Sequence, residues 1–271
     1  MVTNLEEVYH NYQLNDGLNI SSIPREENPA NSHHGHGFFF TTAEYINNYY
    51  AYGCNLRQVI LPQDDINFRI VRVGNSFCAN RIILGEKYSL YDPDTYERFG
   101  LHIEDNNQIT KLASAEGNLE FLCKWKKLGI TGHRSAARVD LASENGHVAI
   151  LDFWFKTGKM FYSTKAIDAA SRNGHVDVLA WWLKSGLKLK YTNLAVDWAC
   201  AFGRTDILEW WKNSGLEIKY SDNAILWAYE FKQTAVQYWW LKSGLKQKAI
   251  DTVLENRREK LNKLLSYYIH E

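Results

Sequence analysis

Proline is scarce, with four in 271 residues, and Pro93 is the last of them. Cysteine is equally scarce. Cys54, Cys78, Cys123 and Cys200 form no C-x-x-C pair, so neither a small disulfide framework nor a cysteine zinc site is indicated, and four free buried thiols are expected. No stretch approaches eighteen uncharged apolar residues, so no membrane span is expected. Glu6 and Glu7 stand where a secretory signal would carry a basic patch, and a cytoplasmic protein is expected. Lysine and arginine balance aspartate and glutamate to a formal charge of zero, and 45% of the residues are hydrophobic. That balance excludes a disordered chain.

Tryptophan is plentiful but confined. All ten, Trp125 to Trp240, follow the last proline. The charges divide at the same place, with 7 Lys and Arg against 12 Asp and Glu in residues 1–100, and 24 against 19 in 101–271. Two modules are expected, each long enough for its own core.

Gly129, Gly158, Gly186, Gly215 and Gly244 recur at intervals of 29, 28, 29 and 29 residues. Twelve residues ahead of each runs a second column, Gly117, Gly146, Gly174 and Gly203, with Lys232 in the fifth place. A period of this length is the signature of a solenoid, whose repeats bury their apolar faces only against one another. In the three clearest repeats, Ser163–Gly186, Thr192–Gly215 and Ser221–Gly244, the pattern predicts helix, turn, helix. Ser163, Thr192 and Ser221 are N-cap candidates. The column Gly117, Gly146, Gly174 and Gly203 ends the short helix in a left-handed conformation. Ala142, Ala170, Ala199 and Ala228 give a small-residue column that lets repeats approach closely, packed by large tryptophans opposite.

The strings Ala142-Ser-Glu-Asn-Gly-His-Val148 and Ala170-Ser-Arg-Asn-Gly-His-Val-Asp-Val-Leu179 resemble the ankyrin repeat over about residues 105–248. Two departures stand out. The repeats are 28–29 residues long and lack proline, which implies that the projecting finger is cut back to a short turn. Trp181-Trp182, Trp210-Trp211 and Trp239-Trp240 replace paired leucines, and this Trp-Trp-x-x-Ser-Gly-Leu variant resembles ankyrin-repeat proteins encoded by giant DNA viruses of amoebae. Tyr12–Asn19, Gly37–Ile46, Leu56–Pro62 and Ala79–Leu90 look like the leader those viral proteins carry.

Read physically, residues 1–100 form a small α+β module. Thr41 or Thr42 caps an amphipathic helix over Ala43–Tyr52, ended by Gly53. Strands are expected over Leu56–Leu61, Phe68–Val73 and Phe77–Leu84, with Gly74-Asn75 as a two-residue hairpin turn. Asn31–His36 reads as a loop. Residues 101–248 form about five repeats of an all-α ankyrin-like solenoid, and the charged segment 249–271 is read as a C-terminal capping helix.

Candidate chemistry is sparse. His33, His34 and His36 could chelate a metal, but without a companion ligand a surface role is preferred, and neither metal nor cofactor is expected. Gly37-Phe-Phe-Phe-Thr-Thr, with His10 before it and Tyr45, Tyr49 and Glu86 after, faintly resembles an ADP-ribosyltransferase segment. That resemblance implies a nicotinamide dinucleotide site, against the simpler reading of a core tyrosine and surface polar groups. Asn118, His147, His175, Arg204 and Gln233 follow the turn glycines one per repeat, which favours hydrogen bonds between repeats over catalysis. The tryptophan pairs could stack sugars or bases, but their place in the packing helix favours core. Lys188, Lys190, Lys219, Lys246 and Lys248 mark one edge, read as solvated and suited to an acidic protein rather than nucleic acid.

The function expected is a non-enzymatic scaffold that binds a host or viral protein through the concave face of the first helices. Lys165, Asp168, Arg172, Leu194, Asp197 and Leu226 vary between repeats and are the candidate contacts. A transferase in the front module and a self-assembling virion component are the alternatives.

Overall fold

The structure, a computed structural model, describes residues 1–9, 12–21, 37–129, 135–245 and Glu255. His10, the loop with His33, His34 and His36, Lys246, Lys248 and, apart from Glu255, the segment 249–271 lie outside the described residues. The chain divides into two compact units, Met1–Ala113 with Asn118–His133, and Ser114–Gly117 with Arg134–Glu271.

Among its described residues the first unit carries nine antiparallel strands in three sheets. In chain order they are β1 (Val2–Thr3), β2 (Val8–Tyr9), β3 (Tyr12–Gln13), β4 (Gly17–Ile20), β5 (Phe38–Thr41), β6 (Asn55–Ile60), β7 (Ile70–Val73), β8 (Ser76–Ala79) and β9 (Arg81–Ser89). Their order is β1-β6-β9-β4 in the largest sheet and β5-β8-β7 in the next, with β2 and β3 as a ribbon. The hairpin turn at Gly74-Asn75 forms as the sequence predicts, with Val73 paired to Ser76 across it. The expected strand Phe77–Leu84, in contrast, breaks at Asn80 and changes sheets. Asn80 makes the corner because its side chain accepts from the Arg69 amide at 2.8 Å and donates to the Asn67 carbonyl at 2.9 Å, satisfying backbone that the ladder leaves. Met1, Leu14, Phe38, Ala79, Ile82 and Leu84 form the core of this unit.

The expected helix after Phe40 is a 3₁₀ helix over Ala43–Tyr52 that buries Ile46 and Tyr50. Neither threonine caps it by its side chain. Thr42 makes no such bond, and the Thr41 hydroxyl donates to the Asn75 carbonyl instead. Gly53 ends it because a Cβ there would lie 2.1 Å from the Thr3 carbonyl oxygen, so only glycine lets β1 pass. Helix α1 (Pro93–Arg98) starts on Asp92, whose carboxylate accepts from the Asp94 amide, with proline in the first turn.

Among the described residues ten helices follow in pairs, one pair per repeat: α2 (Ile109–Ala115) and α3 (Leu119–Lys127), α4 (Ala137–Glu144) and α5 (Val148–Lys156), α6 (Lys165–Asn173) and α7 (Val176–Lys184), α8 (Leu194–Ala201) and α9 (Thr205–Asn213), and α10 (Asn223–Glu230) and α11 (Thr234–Ser243). Each first helix from α4 onward closes on an alanine carbonyl: those of Ala142, Ala170, Ala199 and Ala228 accept from the amides of His147, His175, Arg204 and Gln233. The left-handed residue between, such as Gly174 at φ +88°, makes that closure possible. The Ser-Gly-Leu end of the second helix has a similar logic. Ser185 Oγ donates to the Trp182 carbonyl at 2.7 Å and accepts from the Leu187 amide, and Ser214 and Ser243 repeat the arrangement.

Candidate interaction surface

Three polar columns run between neighbouring repeats. In the first, an aspartate of one first helix clamps the start of the following repeat. Asp140 accepts from the amide and hydroxyl of Ser163 at 2.9 and 2.6 Å. Asp168 does the same for Thr192 at 2.9 and 2.8 Å, and Asp197 for Ser221 at 2.9 and 2.5 Å. Each hydroxyl also accepts from an amide two residues on, as an N-cap would, although the residue flanking the helix is the next one, Thr164, Asn193 or Asp222.

In the second column the last tryptophan of each second helix reaches back one repeat. The indole N–H of Trp154 donates to Ser114 Oγ at 3.1 Å, Trp182 to Ser143 at 3.1 Å, and Trp211 to Ser171 at 3.2 Å. Trp240 meets Cys200 Sγ at 3.3 Å in the same place, and burial pushes that thiol up to about 12. These tryptophans are core, as their position in the sequence implies, being at most 2% exposed from Trp154 onward. The first tryptophan of the pair finds an acid where there is one: Trp181 donates to Asp152 and Trp239 to Glu209, each at 2.7 Å.

The third column holds the turns. His147 Nε2 donates to the Ala115 carbonyl, Arg204 Nε to that of Arg172 and Gln233 Nε2 to that of Ala201, whereas Asn118, expected in the same role, caps its own helix by accepting from the Phe121 amide at 3.0 Å. Their side chains lie on the preceding turn glycine: a Cβ on Gly117 or Gly146 would come within 2.8 Å of the His147 or His175 ring. The glycines that close the second helices have no such neighbour. Gly158, Gly186 and Gly215 have nothing within 4 Å of that position and are needed for φ near +70° alone.

Against this frame of bonds the six expected contacts separate. Asp168 and Asp197 are 3% and 0% exposed, not solvent-facing, because the next repeat uses both carboxylate oxygens. Leu226 occupies the same column and is half-buried. Arg172 is half-buried, bonded to Glu144 at 2.5 Å with its guanidinium 5.3 Å from the Trp198 ring centre. Leu194 is half-buried and Lys165 is exposed. The edge lysines are also engaged: Lys190 and Lys219 stand 4.4 and 4.6 Å over the rings of Tyr162 and Tyr191, which in turn pack on Trp182 and Trp211. Such lysines are poor free phosphate ligands.

Sequence reasoning missed Phe202 and Phe231. They end successive first helices, 29 residues apart, and stay 55% and 56% exposed. The equivalent residues of the two earlier repeats are Asn145 and Asn173, whose amides donate to the carbonyls of Leu141 and Glu144. The signal was present as a change from Asn to Phe within one column.

In the first unit two adjoining clefts of about 280 and 220 Å³ share Met1, Phe40, Thr41 and Ile46. Tyr49 lines the smaller and its hydroxyl bonds Ser76. Tyr45 lines neither. Glu86 lines neither as well, being 69% exposed at its side chain and turned to Tyr88 and Arg98. The nicotinamide constellation is therefore not assembled among the described residues, and His10 lies outside them. No group of three His, Cys, Asp or Glu side chains among the described residues could hold a metal, and no described helix is long and apolar enough to cross a membrane.

Residues 167–210 match the family model for ankyrin repeats. Among relatives, the chain is 33% identical over 159 residues to Putative ankyrin repeat protein R868 of Acanthamoeba polyphaga mimivirus, covering 56% of this chain and 79% of that protein. It is 41% identical over 147 residues to Uncharacterized protein L696 of the same virus, covering 54% of this chain but only 45% of L696. A third, Putative ankyrin repeat protein R896, is 32% identical over 127 residues, 45% of this chain and 38% of its own length.

Proposed function

The chain belongs to the ankyrin-repeat proteins of the mimivirus type, and from that membership we propose that it is a non-enzymatic scaffold whose first-helix face grips a host or viral protein. One observation carries the reading. The polar columns of the stack are consumed in bonds between repeats, while Phe202 and Phe231 are left bare on consecutive repeats. Two large apolar side chains held at neighbouring sites of a rigid stack are anchors for a complementary partner. Lys165, Arg172 and Leu194 lie on the same run of first helices and complete the proposed contact set. Asp168 and Asp197 are withdrawn from it because the stack already occupies them.

The test is affinity capture from Acanthamoeba lysate with the full chain and with a Lys165→Glu, Phe202→Ser, Phe231→Ser variant. All three residues are exposed, so the fold should survive. A protein held by the parent and lost by a folded variant supports the reading; a bound set unchanged by the substitutions removes it.

A further inference from the structure

The two clefts of the first unit meet along a free strand edge. Strand β5 ends its three-stranded sheet, bonded to β8 on one side and, among the described residues, to no strand on the other. Its residues Phe39, Phe40 and Thr41 are consecutive, and consecutive side chains of a strand point to opposite faces. Phe39 lines only the smaller cleft. Phe77, which pairs with Phe40 in the ladder and stacks on it with ring centres 5.8 Å apart, lines only the larger. Phe40 and Thr41 line both. The clefts therefore lie on opposite faces of β5 and join around its open side.

The main chain on that side is short of partners. The Phe39 amide donates to the Tyr9 hydroxyl and not to a strand. Within a strand the N–H and C=O of one residue point the same way and those of the next point oppositely, so the Phe39 carbonyl and the Thr41 N–H and carbonyl share this direction. Among the described residues none of the three is bonded. An open edge of this kind recruits an extended chain, whose main-chain bonds supply affinity and whose alternate side chains supply specificity. The surroundings are fixed: the 3₁₀ helix Ala43–Tyr52 packs on both β5 and β1, and its Ile46, 3% exposed, lines both clefts. The described lining holds no acid, and its one cation, Arg57, is already paired with Asp16 and Glu7. A neutral lining matches an uncharged occupant, because an unpaired charge placed there would lose its hydration without compensation.

We propose that β5 is a docking edge for an extended, uncharged segment of a partner protein, which bonds the main chain of Phe39 and Thr41 and sends successive side chains into the two clefts, an aliphatic one toward Leu56, Val59 and Leu101 and an aromatic one toward Tyr49 and Tyr52. This surface lies in the first unit and stands apart from the first-helix face of the repeats.

The test is fluorescence anisotropy of the full chain with a fluorescein-labelled peptide, Thr-Leu-Tyr-Leu-Thr capped at its C-terminus, and with two copies N-methylated on alternate sets of amides. The parent peptide should bind saturably. One methylation pattern should weaken it about tenfold or more, as expected for losing main-chain bonds to β5, and the other should not. No binding, or an equal effect of the two patterns, would overturn the proposal. Thr41→Pro removes the outward N–H and should weaken the parent peptide by a similar factor; unchanged binding by the folded variant would also overturn it. If Thr41→Pro does not fold, hydrogen exchange on the unaltered chain decides: the Thr41 amide should exchange freely without peptide and slowly with it. An amide already protected in the chain alone would overturn the proposal, because the edge is then covered.

Discussion

Replacing Trp211 separates the two things this side chain does. It is 1% exposed, packs on Tyr191 with ring centres 4.8 Å apart, and donates to Ser171 Oγ at 3.2 Å in the preceding repeat. Trp211→Ala removes the ring from a site walled by two repeats, and the expected loss is about 3–5 kcal/mol, the range for emptying a buried aromatic site. Trp211→Phe keeps most of the ring but loses the N–H and leaves Ser171 Oγ without its donor, which adds about 1 kcal/mol to a smaller packing loss. Ser171→Ala in the Trp211→Phe background should then cost almost nothing more, because the bond it would remove is already gone. The assay is guanidinium denaturation followed by circular dichroism, with free energies compared at constant slope. Losses below about 1 kcal/mol for Trp211→Ala, under the usual range for such sites, or full additivity of Ser171→Ala and Trp211→Phe, would refute the joint assigned to this pair.

The two glycine columns should respond differently. Gly158→Ala should cost about 1–2 kcal/mol, the penalty of a left-handed conformation, whereas Gly146→Ala should cost more, since its Cβ also meets the His175 ring at 2.8 Å; equal losses in denaturation would contradict this. Asp168→Asn should destabilise by about 1–3 kcal/mol, since it turns an acceptor of the Thr192 hydroxyl into a donor. Burial holds the Asp168 carboxyl above its ordinary value despite the bonds from Thr192 and Thr164, so the folded chain binds that proton more tightly than the unfolded one. Its contribution favours folding below the ordinary aspartate value and declines as pH rises toward the raised one. Asp168→Asn should flatten that part of the stability–pH curve, and an unchanged slope would count against the assignment. Three of the four cysteines are buried as expected and Cys123 is exposed instead, so Cys123 should be alkylated first and Cys200, buried with its thiol pushed up, only on unfolding; peptide mapping by mass spectrometry that showed the reverse order would contradict this.

The repeats were legible because their determinants are periodic: two glycine columns, an alanine column and a tryptophan pair recur in one phase, and each recurrence reports the same physical need. The role of His147 and its column as inter-repeat bonds was legible for that reason as well. Asp168 and Asp197 were misread because a charged residue among variable neighbours looks solvent-facing. What buries them is a partner 24 residues away in the next repeat, a contact visible only once the helices are stacked. The serine column at Ser143 and Ser171 was overlooked for a similar reason, since a hydroxyl beside a small-residue column signals nothing until an indole 39 or 40 residues later points at it. In the first unit the hairpin turn is local chemistry and was foreseen. The sheet change at Asn80 depends on carbonyls and amides brought in from Asn67 and Arg69, and no local pattern announces it.

The most direct test of the account is hydrogen–deuterium exchange on the full chain with and without the protein it captures. Protection is predicted on Lys165–Asn173 and Leu194–Ala201 and on the turns that carry Phe202 and Phe231, with the second helices unchanged. Protection confined to residues 1–129, with the first helices of the later repeats untouched, would contradict the scaffold reading and place the binding function in the first unit.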